Sequence, residues 1–171
     1  MPRNVEIKAR IASVDAFVDR AAAIADQGPF EIPQDDTFFV CANGRLKLRE
    51  LSPDHGELIF YRRPDQSGPK ESFYVRAVTS DPTALRECLS LAHGQAGRVR
   101  KQRTLFLAGR SRLHLDRVAE LGDFLEIEVV LADGESIDVG IREANDLMKR
   151  LGIEHSQLVD AAYLDLLALE I

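Results

Sequence analysis

The sequence predicts an α+β fold in which about eight antiparallel strands close into a barrel, with helices packed against its outside. Three observations carry this prediction. Short segments that alternate ionisable with aliphatic side chains recur along the chain, at the period of two that a strand imposes. Their signs segregate, with carboxylates on the first and last segments and cations mostly between. Finally, eight strands are enough to close a barrel, which puts one face of each strand inside and leaves the aliphatic face for helices. A sheet with its polar face in water gives the same alternation, and for any single strand that plainer account stands.

In chain order, residues 4–11 read as the first strand, with Asn4, Glu6, Lys8 and Arg10 on one face and Val5, Ile7, Ala9 and Ile11 on the other. Ser13 can cap a helix whose residues Phe17, Val18, Ala21 and Ala22 have helical spacing, and Gly28-Pro29 ends it. A short strand at 34–40 turns at Asn43-Gly44 into a strand at 45–51, where Arg45, Lys47 and Arg49 alternate with leucines. A turn at 53–56 leads to a strand at 57–63, a polar loop at 64–69 and a fifth strand at 71–78. Asp81-Pro82 starts a second helix, with Leu85, Cys88, Leu89 and Ala92 as its apolar stripe and Gly94 at its end. Strands at 99–107, 112–118 and 124–130 follow, the last carrying Glu126 and Glu128 on one face. Two helices at 136–151 and 156–169 are parted by Gly152, the second burying Val159, Ala162, Tyr163 and Leu166. No repeat or linker interrupts this order, so residues 1–171 are expected to form one domain.

Composition narrows the function classes. With 171 residues and 45% hydrophobic content the chain can bury one core, and its net charge of −6 argues against a general nucleic-acid binder. Cys41 and Cys88 lack metal-ligand or disulfide spacing and are expected to be reduced, buried small hydrophobes. A charged N-terminus without an apolar run is not a signal peptide, and no stretch approaches a membrane span, so a cytoplasmic location is expected.

A barrel lined by charge is costly unless the charges are paired or meet a ligand. A polyanion with divalent cations satisfies both signs, since carboxylates suit Mg²⁺ and converging arginines and lysines suit phosphate oxygens. No glycine-rich phosphate loop is present. The chemistry points to a metal–polyphosphate site inside the barrel.

The charged strands resemble those of the CYTH domain family, the triphosphate tunnel metalloenzymes, and are closest to its class IV adenylate cyclase-like branch. The likeness runs from Val5-Glu6-Ile7-Lys8 to Glu126-Ile127-Glu128. The family's E-x-E-x-K strand falls on Asn4, Glu6 and Lys8, so Asn4 stands where the first glutamate is expected. The resemblance implies Glu6, Glu126 and Glu128 as ligands of Mg²⁺ or Mn²⁺, with Asp116 completing the acidic cluster or orienting a metal-bound water. It implies Lys8, Lys47, Arg49, Lys101, Arg103 and Arg112 as triphosphate-binding cations, with Arg45 on the same face at the tunnel mouth. Arg63 joins them if its strand keeps its alternation, and Arg62 does so if a bulge precedes Pro64.

Lys8, Asp116 and His114 are the expected catalytic residues. His114 shares a face with Arg112 and Asp116 and reads as an acid, base or substrate contact, or else as a hydrogen-bonded interior histidine. Lys70 reads as a mobile loop cation or as a merely solvated one, and Tyr61 and Tyr74 as packing residues or else as contacts to a substrate base or ring. The implied reaction is ATP to cyclic AMP and pyrophosphate. The alternatives are hydrolysis of tripolyphosphate, thiamine triphosphate or a nucleoside triphosphate, and binding of a nucleotide or polyphosphate without turnover. The expected partner is a triphosphorylated small molecule rather than nucleic acid or membrane, and the resemblance also allows a homodimer.

Overall fold

The computed structural model describes residues 2–169. Its strands close into a barrel in the order β1 (Arg3–Arg10), β5 (Lys70–Thr79), β4 (His55–Arg62), β3 (Arg45–Ser52), β2 (Gln27–Phe39), β6 (Gln95–Ala108), β7 (Ser111–Val118) and β8 (Gly122–Val130). β8 pairs back onto β1, placing Glu6 opposite Glu128 and Lys8 opposite Glu126. All neighbouring strands run antiparallel. The acidic strands at the two ends of the sequence are therefore adjacent in space, and the expected eight-stranded closure is what the chain forms.

The main core lies outside the barrel wall. Val5, Ile7 and Ala9 of β1, Leu113 and Leu115 of β7, and Leu125, Ile127 and Val129 of β8 are buried beneath α1 (Asp15–Ile24) and α3 (Ile137–Leu151). Each of the valines, leucines and isoleucines contributes about 1.5–3 kcal/mol, so this layer offsets the cost of keeping the opposite face charged. Gly140 permits the close approach of α3, since a Cβ there would fall 2.7 Å from both Leu131 and Val5. α2 (Pro82–His93) is capped by Asp81, which accepts from the Ala84 amide at 3.0 Å. Its expected stripe is only partly covered: Leu85 and Leu89 are half-buried, whereas Cys88 and Ala92 face solvent. Cys88 is thus not the buried hydrophobe that was expected, and Cys41 is half-buried. No helix of the described residues is long and apolar enough to cross a membrane.

Three boundaries differ from the sequence reading. β2 begins at Gln27, so Gly28-Pro29 lies within a strand rather than ending the helix, which stops at Ile24. Residues 27–34 pair only with β6, and pairing with β3 begins at Asp35. Pro29 and Pro33 therefore sit where one side of the strand needs no amide donor. β6 likewise starts at Gln95 to follow this longer partner. The final helix is also shorter than expected. A 3₁₀ turn spans His155–Gln157, Leu158 bridges to Ala9, and α4 (Tyr163–Leu169) begins only after an extended stretch. That stretch is drawn out of helix by pairing with the end of β1, where the Val159 amide donates to the Lys8 carbonyl at 2.9 Å.

Candidate functional site

Alternate residues of the strands line a tunnel of about 480 Å³. β1 contributes Asn4, Glu6 and Lys8; β3 Lys47 and Arg49; β6 Lys101 and Arg103; β7 Arg112 and His114; and β8 Glu126 and Glu128. Arg63 continues the alternation of Glu57, Ile59 and Tyr61 into the tunnel and pairs with Glu6. Arg62 lies outside, over the rings of Phe60 and Phe73 at 5.6 and 5.7 Å. The strand keeps its alternation, which turns Arg63 rather than Arg62 into the tunnel.

Two expected residues are placed differently. Arg45 sits beside α4, where its guanidinium meets both carboxylate oxygens of Asp165 at 3.2 and 2.5 Å. Asp116 is fully buried behind Arg103 and does not face the cavity. It accepts from Arg103 Nε and Nη2 at 2.7 Å each and from the Tyr163 hydroxyl at 2.9 Å. Both of its oxygens are engaged in holding other side chains.

Opposite charges pair throughout the wall. Asp36 accepts from Lys47 Nζ at 2.9 Å and from Arg49 Nε and Nη2 at 2.8 Å each. Glu126 is approached by Arg103 at 3.2 Å and by Lys8 and His114 at 3.5 Å, and Glu128 by Arg112 at 3.8 Å. Burial would raise both carboxyls, but Arg49 and Lys47 hold Asp36 well below its usual range, and Lys8 does the same for Glu126. Burial lowers Lys8 to about 8 against the attraction of Glu126, and lowers Lys47 to about 7 with Arg49 adding to the effect. An ammonium has three donors and a guanidinium five. Lys47 and Arg49 are therefore held in place by Asp36 while keeping N–H groups for an anion in the tunnel.

The family model for the CYTH domain matches residues 2–163. The chain belongs to the CYTH domain family. It is 26% identical over 168 residues to adenylate cyclase CyaB of Aeromonas hydrophila, a match covering 94% of this chain and 86% of the relative. Among solved structures it resembles the PH1012 protein of Pyrococcus horikoshii OT3, with a TM-score of 0.83, 21% identity, and 95% and 98% of the two chains covered. It also resembles HpAC1 of Hippeastrum, described as having a dominant triphosphatase activity, with a TM-score of 0.68, 15% identity, and 99% and 96% coverage. At these identities the two structures speak for the fold.

Within this CYTH barrel, His114, Glu126 and Glu128 each bring one potential ligand atom within 4.8 Å of the others. Two carboxylates and an imidazole are a donor set that fits a divalent cation. Glu6 faces Glu128 across the β1–β8 ladder but is engaged by Arg63.

Sequence reasoning missed several lining residues of the CYTH tunnel. Gln34 and Asp36 share the interior parity of β2, a signal that was available once that strand was assigned. Lys70 is buried rather than solvated, donating to the carbonyls of Gln66 at 3.0 Å and Asp160 at 2.9 Å. Lys8 similarly donates to the Ala161 carbonyl at 3.2 Å. The C-terminal stretch thereby brings Ala162 and Tyr163 into the tunnel, with the Tyr163 ring 4.0 Å from Lys8 Nζ and 4.8 Å from Lys101 Nζ. Helical periodicity marked Tyr163 as buried and carried no hint that it would face the tunnel.

Proposed function

We propose that this chain is a divalent-metal-dependent enzyme acting on a triphosphorylated small molecule, and that its reaction converts ATP to cyclic AMP and pyrophosphate. The observation that carries this reading is the convergence of cations from β1, β3, β6 and β7 on one tunnel beside Glu126 and Glu128. The likeness to an adenylate cyclase over most of the chain supports the choice of reaction.

In this reading Lys8, Lys47, Arg49, Arg63, Lys101, Arg103 and Arg112 take phosphate oxygens, while Arg45 is committed to Asp165. Glu126 and Glu128, with Glu6 opposite, hold Mg²⁺ or Mn²⁺. When bound, the cation offsets charge that develops on the phosphate oxygens. Asp116 works behind the wall, orienting Arg103 through two hydrogen bonds so that it meets the substrate without rearrangement. Lys8, held by the Ala161 carbonyl, contributes a donor next to Glu126. In the reaction, the ribose 3′-hydroxyl gives up its proton to solvent and its oxygen bonds to the α-phosphorus, while the bond from that phosphorus to the bridging oxygen breaks and pyrophosphate leaves.

Asn4 favours a second reading. A neutral side chain at this position leaves the shared face of β1 one carboxylate short, and the same cations serve hydrolysis of tripolyphosphate, thiamine triphosphate or a nucleoside triphosphate. Product analysis with Mg²⁺ or Mn²⁺ and each substrate separates the two. Cyclic AMP with pyrophosphate is the expected outcome. Orthophosphate release replaces it with the hydrolase reading, and tight binding without any product identifies a binding module instead.

A further inference from the structure

We infer that His114 is itself a metal ligand, and that an imidazole–dicarboxylate set of His114, Glu126 and Glu128 gives this tunnel a preference for first-row transition ions such as Mn²⁺ over Mg²⁺. This rests on the metal-dependent reading above but puts His114 in place of Glu6 in its donor set, where the family resemblance implies carboxylates alone.

Spacing is the first argument. The three ligand atoms lie within 4.8 Å of one another, and His114 Nδ1 is 3.5 Å from Glu126 Oε2. That separation is long for a hydrogen bond, which favours about 2.7–3.2 Å. It falls inside the span of about 3–4.2 Å that separates two ligands of one octahedral ion with bonds near 2.1 Å. Side-chain rotations that close the widest separation by about 0.6 Å or more bring the set within that span.

A second, independent observation comes from Asn4. Its side chain is 4% exposed, it lines the same tunnel, and its Oδ1 finds no hydrogen-bond partner among the described residues. A buried acceptor left without a partner costs about 1–3 kcal/mol. Asn4 lies two residues before Glu6 on one face of β1 and opposite Val130, diagonal to Glu128. A diagonal neighbour is about 7–8 Å away, a reach suited to a metal's water ligand rather than to the metal. The amide oxygen is thus placed to accept from the hydration shell of an ion held by the other three residues.

The same geometry accounts for Glu6. It stays with Arg63, while His114 on β7 supplies the third donor. Once the cation takes over the Glu126 carboxylate, the N–H groups of Lys8 and Arg103 that now approach it are left for the triphosphate. An imidazole nitrogen in the set shifts selection away from Mg²⁺, which prefers oxygen ligands and its own waters.

The test is pulsed electron paramagnetic resonance of Mn²⁺ bound to the full chain, with and without tripolyphosphate. A ¹⁴N modulation from a coordinated imidazole is expected in the wild type and is lost in His114→Gln. In equilibrium dialysis, that variant is expected to lose Mn²⁺ affinity while Mg²⁺ affinity changes little. Bound Mn²⁺ without nitrogen modulation in the wild type overturns the assignment of His114 yet leaves a carboxylate-held metal in place. Failure to bind Mn²⁺ under any of these conditions overturns the metal-dependent reading as well. The wild-type spectrum decides the matter even where a substitution impairs folding.

Discussion

Burial, with Arg49 alongside, pulls the Lys47 ammonium from an ordinary 10.5 down to about 7, even though Asp36 accepts from it at 2.9 Å. A bound polyanion favours the charged form, so substrate binding above neutral pH takes up a proton. The KM for ATP or tripolyphosphate is therefore expected to rise between about pH 7 and 9 as Lys47 loses its charge. Lys47→Arg should flatten part of that rise, because a guanidinium stays charged, and leave the part due to Lys8 near 8. Equal slopes in the two proteins would remove Lys47 from substrate binding. Stability runs the other way. The unfolded chain holds the Lys47 proton until about 10.5 while the native state sheds it near 7, so this group makes the fold more stable as pH rises through that window. Glu126 tests the metal at the same scale. Glu126→Gln keeps the side-chain volume and is expected to lower metal-dependent turnover by more than the roughly 10–100-fold that outer-shell partners of a metal are worth. Circular dichroism will show whether the variant remains folded, and wild-type turnover in a folded variant would exclude Glu126 from the site.

At the scale of the element, α3 can reach the barrel only because Gly140 has no side chain. A Gly140→Val substitution places carbon where Leu131 and Val5 already are, so it should cost about 1–3 kcal/mol in urea unfolding. The helix lies on the outer wall, so any lost activity is expected to track the fraction unfolded. Loss of turnover in a fully folded variant would show that α3 influences the tunnel directly. α4 behaves differently because its first residue belongs to the site. Tyr163→Phe preserves the ring between Lys8 and Lys101 and removes the donor to Asp116. Asp116 keeps both Arg103 bonds, so the cost is expected near 1 kcal/mol, the net worth of one hydrogen bond. A much larger shift in melting would mean that the hydroxyl, rather than the guanidinium, holds Asp116 in place.

Across the whole molecule, two layers of opposite character share one barrel wall. Aliphatic side chains turn outward beneath α1 and α3, and paired charges turn inward around the tunnel. Acid–base pairs such as Asp36 with Lys47 and Glu6 with Arg63 limit the cost of the inner layer. A triphosphate with Mn²⁺ would bind the folded tunnel and not the unfolded chain. Tripolyphosphate at 100 times its Kd should then stabilise the protein by about 2.7 kcal/mol, read as a rise in Tm. The rise is expected to need the metal and to shrink at high salt, since screening weakens attraction for the incoming anion. A shift of equal size without metal would mean that the cations alone carry binding.

What the sequence determined by itself was whatever repeats at short range. The period-two alternation assigned Glu6, Lys8, Lys47, Arg49, Lys101, Arg103, Arg112, His114, Glu126 and Glu128 to one face of their strands, and closure of the barrel turned that face inward. The helical spacing in α1 marked residues such as Phe17 and Ala21 that pack outside. Tertiary structure decided everything that depends on where distant segments meet. Asp116 and His114 have the same parity on β7, yet Arg103 claims both oxygens of the first while the second lies beside Glu126. Lys70 left the solvent because the carbonyls of Gln66 and Asp160 gathered around it, and Tyr163 entered the tunnel because residues 158–162 followed β1 instead of continuing a helix. Local periodicity sets which way a side chain points. Which partner satisfies a buried charge is settled only when the chain closes, because that partner is drawn from any part of the sequence.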